Sequence, residues 1–299
     1  MHIAADRDLV VIEVTGPDRI EYLDNVTTQR LQDVAPGVVT GLLVLDGKGV
    51  PQAIAWALVG QDDITLLAPP SSADHVMDLL ATRTFLAQVS FTRLDTPVTS
   101  LAARGEGDLA DELASAGLAV DTDSWTTHDG LVVARHAFGV ELVGATLDDA
   151  VEVVDVEVVT ADALSIQSGE PRWGHEVVAG RLPEEYGLLA THVHLAKGCY
   201  PGQEPIAHMW MLGRPRRRLA LIDLDADAAG GDGGDAVSGH VGDRGFAFVA
   251  PDTEPGAEVA AGVRVSDFVG ADRDVVGWTP AQTRRRDRGG SVDLPRRAP

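Results

Sequence analysis

The residues best equipped for chemistry lie in one short run, Lys197-Gly198-Cys199-Tyr200-Pro201-Gly202-Gln203-Glu204, continued by Pro205-Ile206-Ala207-His208-Met209-Trp210. Cys199 is the only cysteine of the chain, so its thiol is free to act as a nucleophile or metal ligand and cannot form an internal disulfide. Two glycines and a proline around it predict a tight loop with special backbone geometry. Glu204 and Pro205 suit the first turn of a helix, whose free N–H groups would stabilise a nearby anion such as a thiolate. Lys197 adds a positive charge two residues before Cys199. Both effects would lower the thiol pKa and raise its reactivity; a buried, inert cysteine is the competing reading.

His192 and His194 precede this run, with His175 upstream, and imidazole with thiolate is a zinc or iron ligand set. The paired spacing of structural zinc is missing, and His192 and His194 alternate like same-face residues of a strand, so no metal is assigned. One copy of a calcium-binding nonapeptide pattern, Gly230-Gly231-x-Gly233-x-Asp235-x-Val237, occurs without the second copy that would share its ligands. Trp173, Tyr186, Tyr200 and Trp210 offer ring faces to a flat ligand or to ordinary core packing. Arg214, Arg216, Arg217 and Arg218 could meet an acidic ligand or form a solvated strand edge.

The elements that must position these groups are legible as short runs. A strand over residues 8–14 ends at Gly16-Pro17, and Asp18 should cap a short helix carrying Ile20 and Leu23. Val38 to Leu45 turns at Asp46-Gly47-Lys48-Gly49 into Ala53 to Val59, a β-hairpin. A strand over 64–68, a helix starting near Ser71-Ser72, and strands over 85–94, 98–102, 131–135 and 140–143 follow, with a helix over 109–116. The alternation lacks the regular period of a parallel sheet, so the fold class is α+β, largely antiparallel. Residues 225–243, rich in Gly and Asp, read as a linker or long loop before a last β-rich module.

Length and charge exclude several classes. A chain of 299 residues predicts two or three domains. With 46 acidic against 24 basic side chains, a formal charge of -22 argues against nucleic acid as a partner. Only two of the basic residues are lysines, a pattern that fits either a salty cell interior, where charge is screened, or a GC-rich genome. No apolar run reaches the ~18 residues of a spanning helix, so no membrane contact is expected. Met1-His2-Ile3-Ala4-Ala5-Asp6 lacks an export signal, and the expected location is the cytoplasm.

Lys197 to Glu204 resembles the signature K-G-C-Y-x-G-Q-E of the YgfZ-type folate-binding proteins, relatives of the glycine-cleavage aminomethyltransferase (T-protein). Gly169-Glu170-Pro171-Arg172-Trp173-Gly174 resembles the G-x-P-x-x-G element of that family, and Leu182 to Leu188 its link to the signature. Tyr22 to Gln29 and Gly47-Lys48-Gly49 resemble its opening helix and hairpin, and Val276 to Thr279 a weaker match near the end. The resemblance implies a ring of small domains with mainly antiparallel sheets and a C-terminal β-barrel. Residues 1–95 and 151–215 would form the folate-binding region, 96–150 a ferredoxin-like part and 216–283 the barrel with its loop at 225–243; the resemblance stops after Thr283, and the Arg- and Gly-rich stretch at 284–299 itself reads as a disordered tail.

It further implies a folate-binding accessory protein for iron–sulfur cluster assembly or repair, with Cys199 as functional thiol. Lys197, Tyr200, Gln203, Glu204 and Trp173 would line a tetrahydrofolate site, a cluster would be held only transiently, and iron–sulfur enzymes or assembly proteins would be partners. Two arginines usual in the family stand here as Ser165 and His208. A tetrahydrofolate-dependent aminomethyltransferase is the alternative; residues 49–54 lack the carboxylate which that branch uses catalytically.

Overall fold

The computed structural model describes residues 2–81, 84–103, 109–212, 215–229, 237–271 and 273–275. In chain order the first elements are β1 (His2–Asp6), β2 (Val10–Thr15), α1 (Arg19–Val26), β3 (Val39–Leu45), β4 (Pro51–Val59), β5 (Asp63–Ala68), α2 (Pro70–Leu79) and β6 (Ser90–Leu94). β7 (Val98–Ala103), α3 (Leu109–Ser115), β8 (Ser124–His128), β9 (Leu131–His136), β10 (Gly139–Val143), α4 (Leu147–Val153), β11 (Val156–Val158) and α5 (Ala161–Ser168) follow. The remainder is α6 (Leu189–His192), α7 (Gln203–Leu212), β12 (Arg218–Leu224), α8 (Ala226–Ala229), β13 (Val237–Val241), β14 (Arg244–Val249), β15 (Glu258–Ala260) and β16 (Val263–Phe268).

Three sheets organise the chain, with strand orders β3-β4-β5-β2-β6, β11-β1-β7-β10-β9-β8 and β13-β14-β12-β16-β15. All strand pairs are antiparallel except β1 with β11. The α+β, antiparallel expectation therefore holds. The third sheet, expected to close as a barrel, has no pairing between β13 and β15 among the described residues and is an open five-stranded sheet there. No described helix is long and apolar enough to cross a membrane.

Apart from its exposed edge strand β6 the first sheet is largely buried on both faces, and β4 shows how its sequence allows this. Ala53, Ala55 and Ala57 point to the face covered by α1 and α2, where Leu23, Ala73 and Val76 pack on them. Small side chains let α2 approach so closely that the Ser72 hydroxyl accepts from the Ile54 N–H at 2.7 Å and donates to the Ile54 carbonyl at 2.6 Å. Period two then sends Ile54, Trp56 and Leu58 to the opposite face. There Leu58 and Trp56 meet Ala134 and Val143 of the second sheet, and Ile54 meets Tyr186, Leu189 and Tyr200 of the long segment between α5 and β12. Each large apolar side chain buried here contributes about 1.5–3 kcal/mol.

Several local expectations change. Asp18 precedes α1 but makes no side-chain cap; its carboxylate instead accepts from the Gln88 N–H at 2.7 Å, a long-range tie that displaces the local one. The strand expected from Phe85 starts at Ser90, because residues 84–87 form a turn closed by the Ala87 N–H donating to the Thr84 carbonyl at 2.7 Å. Phe85 and Leu86 at its tip are 89 % and 97 % exposed. β1 pairs with β7, so the lobe expected at 96–150 also takes in residues 2–6 and 156–158. Part of the expected 225–243 linker is strand β13, paired with β14. The nonapeptide positions 230–236, Arg214, the match at 276–279 and the tail at 284–299 lie outside the described residues.

Candidate functional site

A cavity of about 550 Å³ is lined by residues of β3, β4 and α6, the loop after α1, the positions just before β8 and just after β9, and the stretch after β16. Its wall is built on a cross-strand pair, Gly41 of β3 opposite Trp56 of β4. Gly41 leaves space that the His192 ring fills: a Cβ there would lie 2.5 Å from His192 Cδ2. His192 tilts against the Trp56 indole at 4.6 Å between centroids, and His136 stacks on it at 4.1 Å with 16° between planes. Of these rings Trp56 alone lines the cavity, and Gln29, Arg30, Thr191, His194, Asp123 and Arg273 supply polar groups around it.

A buried ionic network fixes the indole from behind. Gly169, left-handed at φ 75°, ends α5 and turns Glu170 inward. One Glu170 oxygen accepts from Trp56 Nε1 at 3.1 Å and the other from Arg7 Nη1 at 2.5 Å. Arg7 also lies 3.5 Å from Glu141, which accepts from the Ser100 hydroxyl and sits 3.1 Å from His136 Nε2. Burial alone would push the Glu170 pKa up, but Arg7, His136 and the two hydrogen bonds outweigh it and bring it down to about 2. Burial pushes His192 down to about 3, so its imidazole is neutral at pH 7.

The residues singled out by sequence are distributed differently. None of Cys199, Lys197, Tyr200, Gln203, Glu204 or Trp173 lines the cavity. Cys199 is exposed in the loop before α7. The Tyr200 ring packs into the core with Tyr186 and Ile206, Trp173 meets His75 edge-on at 6.4 Å, and Gln203 and Glu204 open α7. His192 ends α6 rather than lying on a strand, and no three His, Cys, Asp or Glu side chains converge on a metal position among the described residues. Arg217 donates to the Phe248 carbonyl and Arg218 lies over the Phe268 ring, both at the third sheet.

Lys197 serves the cavity indirectly. Its ammonium is buried and donates to the carbonyls of Asp24, Thr27 (2.8 Å) and Gln29 (3.0 Å), which is where a cation complements the C-terminus of α1. Burial pushes its pKa down to about 8, which still leaves it mainly protonated at pH 7. The same loop presents Gln29, whose side-chain amide donates to the Gly41 carbonyl at 3.1 Å, and Arg30 to the cavity. Lys197→Met should therefore lower stability by about 1–3 kcal/mol through stranded carbonyls. Urea unfolding checks this; unchanged stability would mean that water replaces the ammonium without loss.

Nothing local in the sequence marks Trp56. Only the period-two pattern of β4 gives its face, and Glu170 lies 114 residues away in sequence.

No protein-family profile matches the chain and no curated protein resembles it in sequence. Among solved structures, the glycine cleavage system aminomethyltransferase T from Bartonella henselae superposes with a TM-score of 0.69 over 92 % of this chain and 88 % of that one, at 15 % identity. The chain shares the fold of that enzyme.

Proposed function

We propose that the protein binds a folate in the central cavity and acts as an accessory factor for assembly or repair of iron–sulfur clusters in client enzymes, with Cys199 as its functional thiol. The observation that carries the reading is the cavity itself, in a fold shared with an aminomethyltransferase. Its volume of about 550 Å³ falls within the range of small-ligand sites. Val34, Val39, Trp56 and Ala190 give its lining apolar surface, and Arg30 gives a cation for a carboxylate tail. Tetrahydrofolate, when bound, supplies a carrier for one-carbon units. Trp56, Gln29 and Thr191 would hold it, and the Glu170 network keeps the indole oriented. A cluster is cargo in this reading. A single exposed thiol leaves the other cluster ligands to come from the partner.

Folinic acid at a hundred times its Kd should add about 2.7 kcal/mol to stability, raising the melting temperature on the order of 5 °C. Cys199→Ala should leave that shift intact while lowering the activity of iron–sulfur enzymes in the same cell under oxidative stress. Full client activity would sink the functional thiol, and no thermal shift would sink the folate site. The aminomethyltransferase reading is favoured by the shared fold alone. Residues 49–54 carry no carboxylate, and Asp123 in the cavity is bound by Arg273 at 2.9 and 3.1 Å. Release of ammonia from an aminomethyl-lipoyl carrier in the presence of tetrahydrofolate would establish it instead.

A further inference from the structure

The second sheet ends at β11 in an open edge. β11 pairs in parallel with β1, in an unbroken register from His2 opposite Val156 to Ala4 opposite Val158. The Val159 N–H donates to the Ala4 carbonyl at 2.9 Å, so the alternation of a strand turns the backbone groups of Val156 and Val158 away from β1. Among the described residues no other strand, turn or loop bonds to those groups. Natural edges are usually blunted by a bulge, proline or lysine. Val156-Glu157-Val158 has none of these.

The two faces of that edge differ in chemistry. Val156 belongs to the face where Ala4 packs with Ala150 and Val154, and Val158, opposite Ala4, shares it. Val158 is 54 % exposed, and Val151 and Val153 of α4, the helix on that face, are 43 % and 46 % exposed. Glu157, opposite Ile3, points to the other face, where Ile3 packs with Leu164 of α5. Glu157 and its neighbour Asp155 are exposed, and no lysine or arginine occurs between Arg135 and Arg172. A second copy of this chain is a poor occupant. Antiparallel self-pairing centred on Glu157 would set two carboxylates directly opposite one another, which destabilises a sheet, on chains that each carry a charge of -22.

We propose that the open edge of β11 binds an extended basic segment of a partner protein by strand addition, with lysines or arginines of the segment meeting Glu157 on one face and its apolar residues meeting Val158 on the other. Main-chain hydrogen bonds to Val156 and Val158 supply the affinity, and the alternation of basic with apolar side chains supplies the selectivity. None of these residues lines the cavity, so a segment bound here leaves the folate site free.

The test is fluorescence anisotropy of the full chain with a labelled short peptide that alternates lysine with valine, against a peptide of the same composition with its lysines and valines in separate blocks. The alternating peptide should bind about tenfold more tightly, and N-methylation of its backbone amides, which keeps every side chain, should abolish the advantage. Val158→Pro removes an N–H that faces outward and spares the bonds to β1, so it should fold and weaken the alternating peptide about tenfold. Glu157→Lys should weaken it as much, with the loss shrinking as salt is added. Equal affinity for the two peptides, or wild-type affinity in Val158→Pro, overturns the proposal. If Val158→Pro does not fold, the N-methylated peptide on wild type decides. Tighter binding once Arg284, Arg285 and Arg286 are replaced by serine in the full chain would make the chain's own end the occupant, and a dimer that Val158→Pro dissociates would make it a second copy; either result overturns the proposal.

Discussion

Arg7→Met should destabilise the protein by about 3–5 kcal/mol at pH 7, because it strands the Glu170 carboxylate in a dry interior. Glu170 would keep only Trp56 Nε1 as a strong partner, and Glu141 would lose a cation 3.5 Å away. The pH dependence gives the prediction a second edge. The Glu170 pKa is about 2 in the fold against 4.5 when unperturbed, so its contribution is complete above pH 4.5 and is lost as pH falls through about 2. That difference corresponds to about 3 kcal/mol. Without Arg7 the carboxyl would protonate at higher pH, so the gap between variant and wild type should be wide at pH 7 and narrower at pH 3. Urea unfolding at both values measures it. A gap below 1 kcal/mol at pH 7, or one unchanged at pH 3, would show that water reaches the network.

Gly202→Ala should cost about 3 kcal/mol or more. Gly202 has φ +79°, where a Cβ alone is worth roughly 1–2 kcal/mol of strain. The added carbon would also fall on the Asp46 carbonyl oxygen and within 2.9 Å of Leu45 Cβ, so the backbone of the β3–β4 turn would have to move. Gly49, across the contact, has its Cα 3.1 Å from the same position and φ +79° of its own. The variant should melt lower and its Cys199 should react with a small alkylating reagent at a changed rate. A loss under 1 kcal/mol would show that the hairpin and the loop do not lock one another.

Local chemistry made much of the fold readable in the chain. The hairpin at Asp46 to Gly49 follows from turn residues between alternating strands, and the helix expected near Ser71-Ser72 is α2, which starts at Pro70. The helix after the Cys199 loop follows from Glu204 and Pro205. The misread positions are those where a distant group wins. Gln88 takes the Asp18 carboxylate from its own helix, and the carbonyls of Asp24, Thr27 and Gln29 take the Lys197 ammonium that composition alone would assign to the thiol. The cavity lies beyond local reading for the same reason. Arg7 and Glu170 are 163 positions apart, and no periodicity in either segment encodes their meeting.

The loop that bears Cys199 is fastened at both ends, by the Lys197 ammonium under its three carbonyls and by Gly202 wedged against the β3–β4 turn. Little chain entropy remains to be lost when something docks there, because the loop is already held in place. Encounter with the thiol is then limited by diffusion and orientation rather than by a slow ordering step. On a chain of charge -22, a basic partner is drawn in faster than a neutral one and the advantage fades as salt is added. The rate of reaction with a cationic disulfide probe should therefore fall with ionic strength, while that with a neutral probe should stay level.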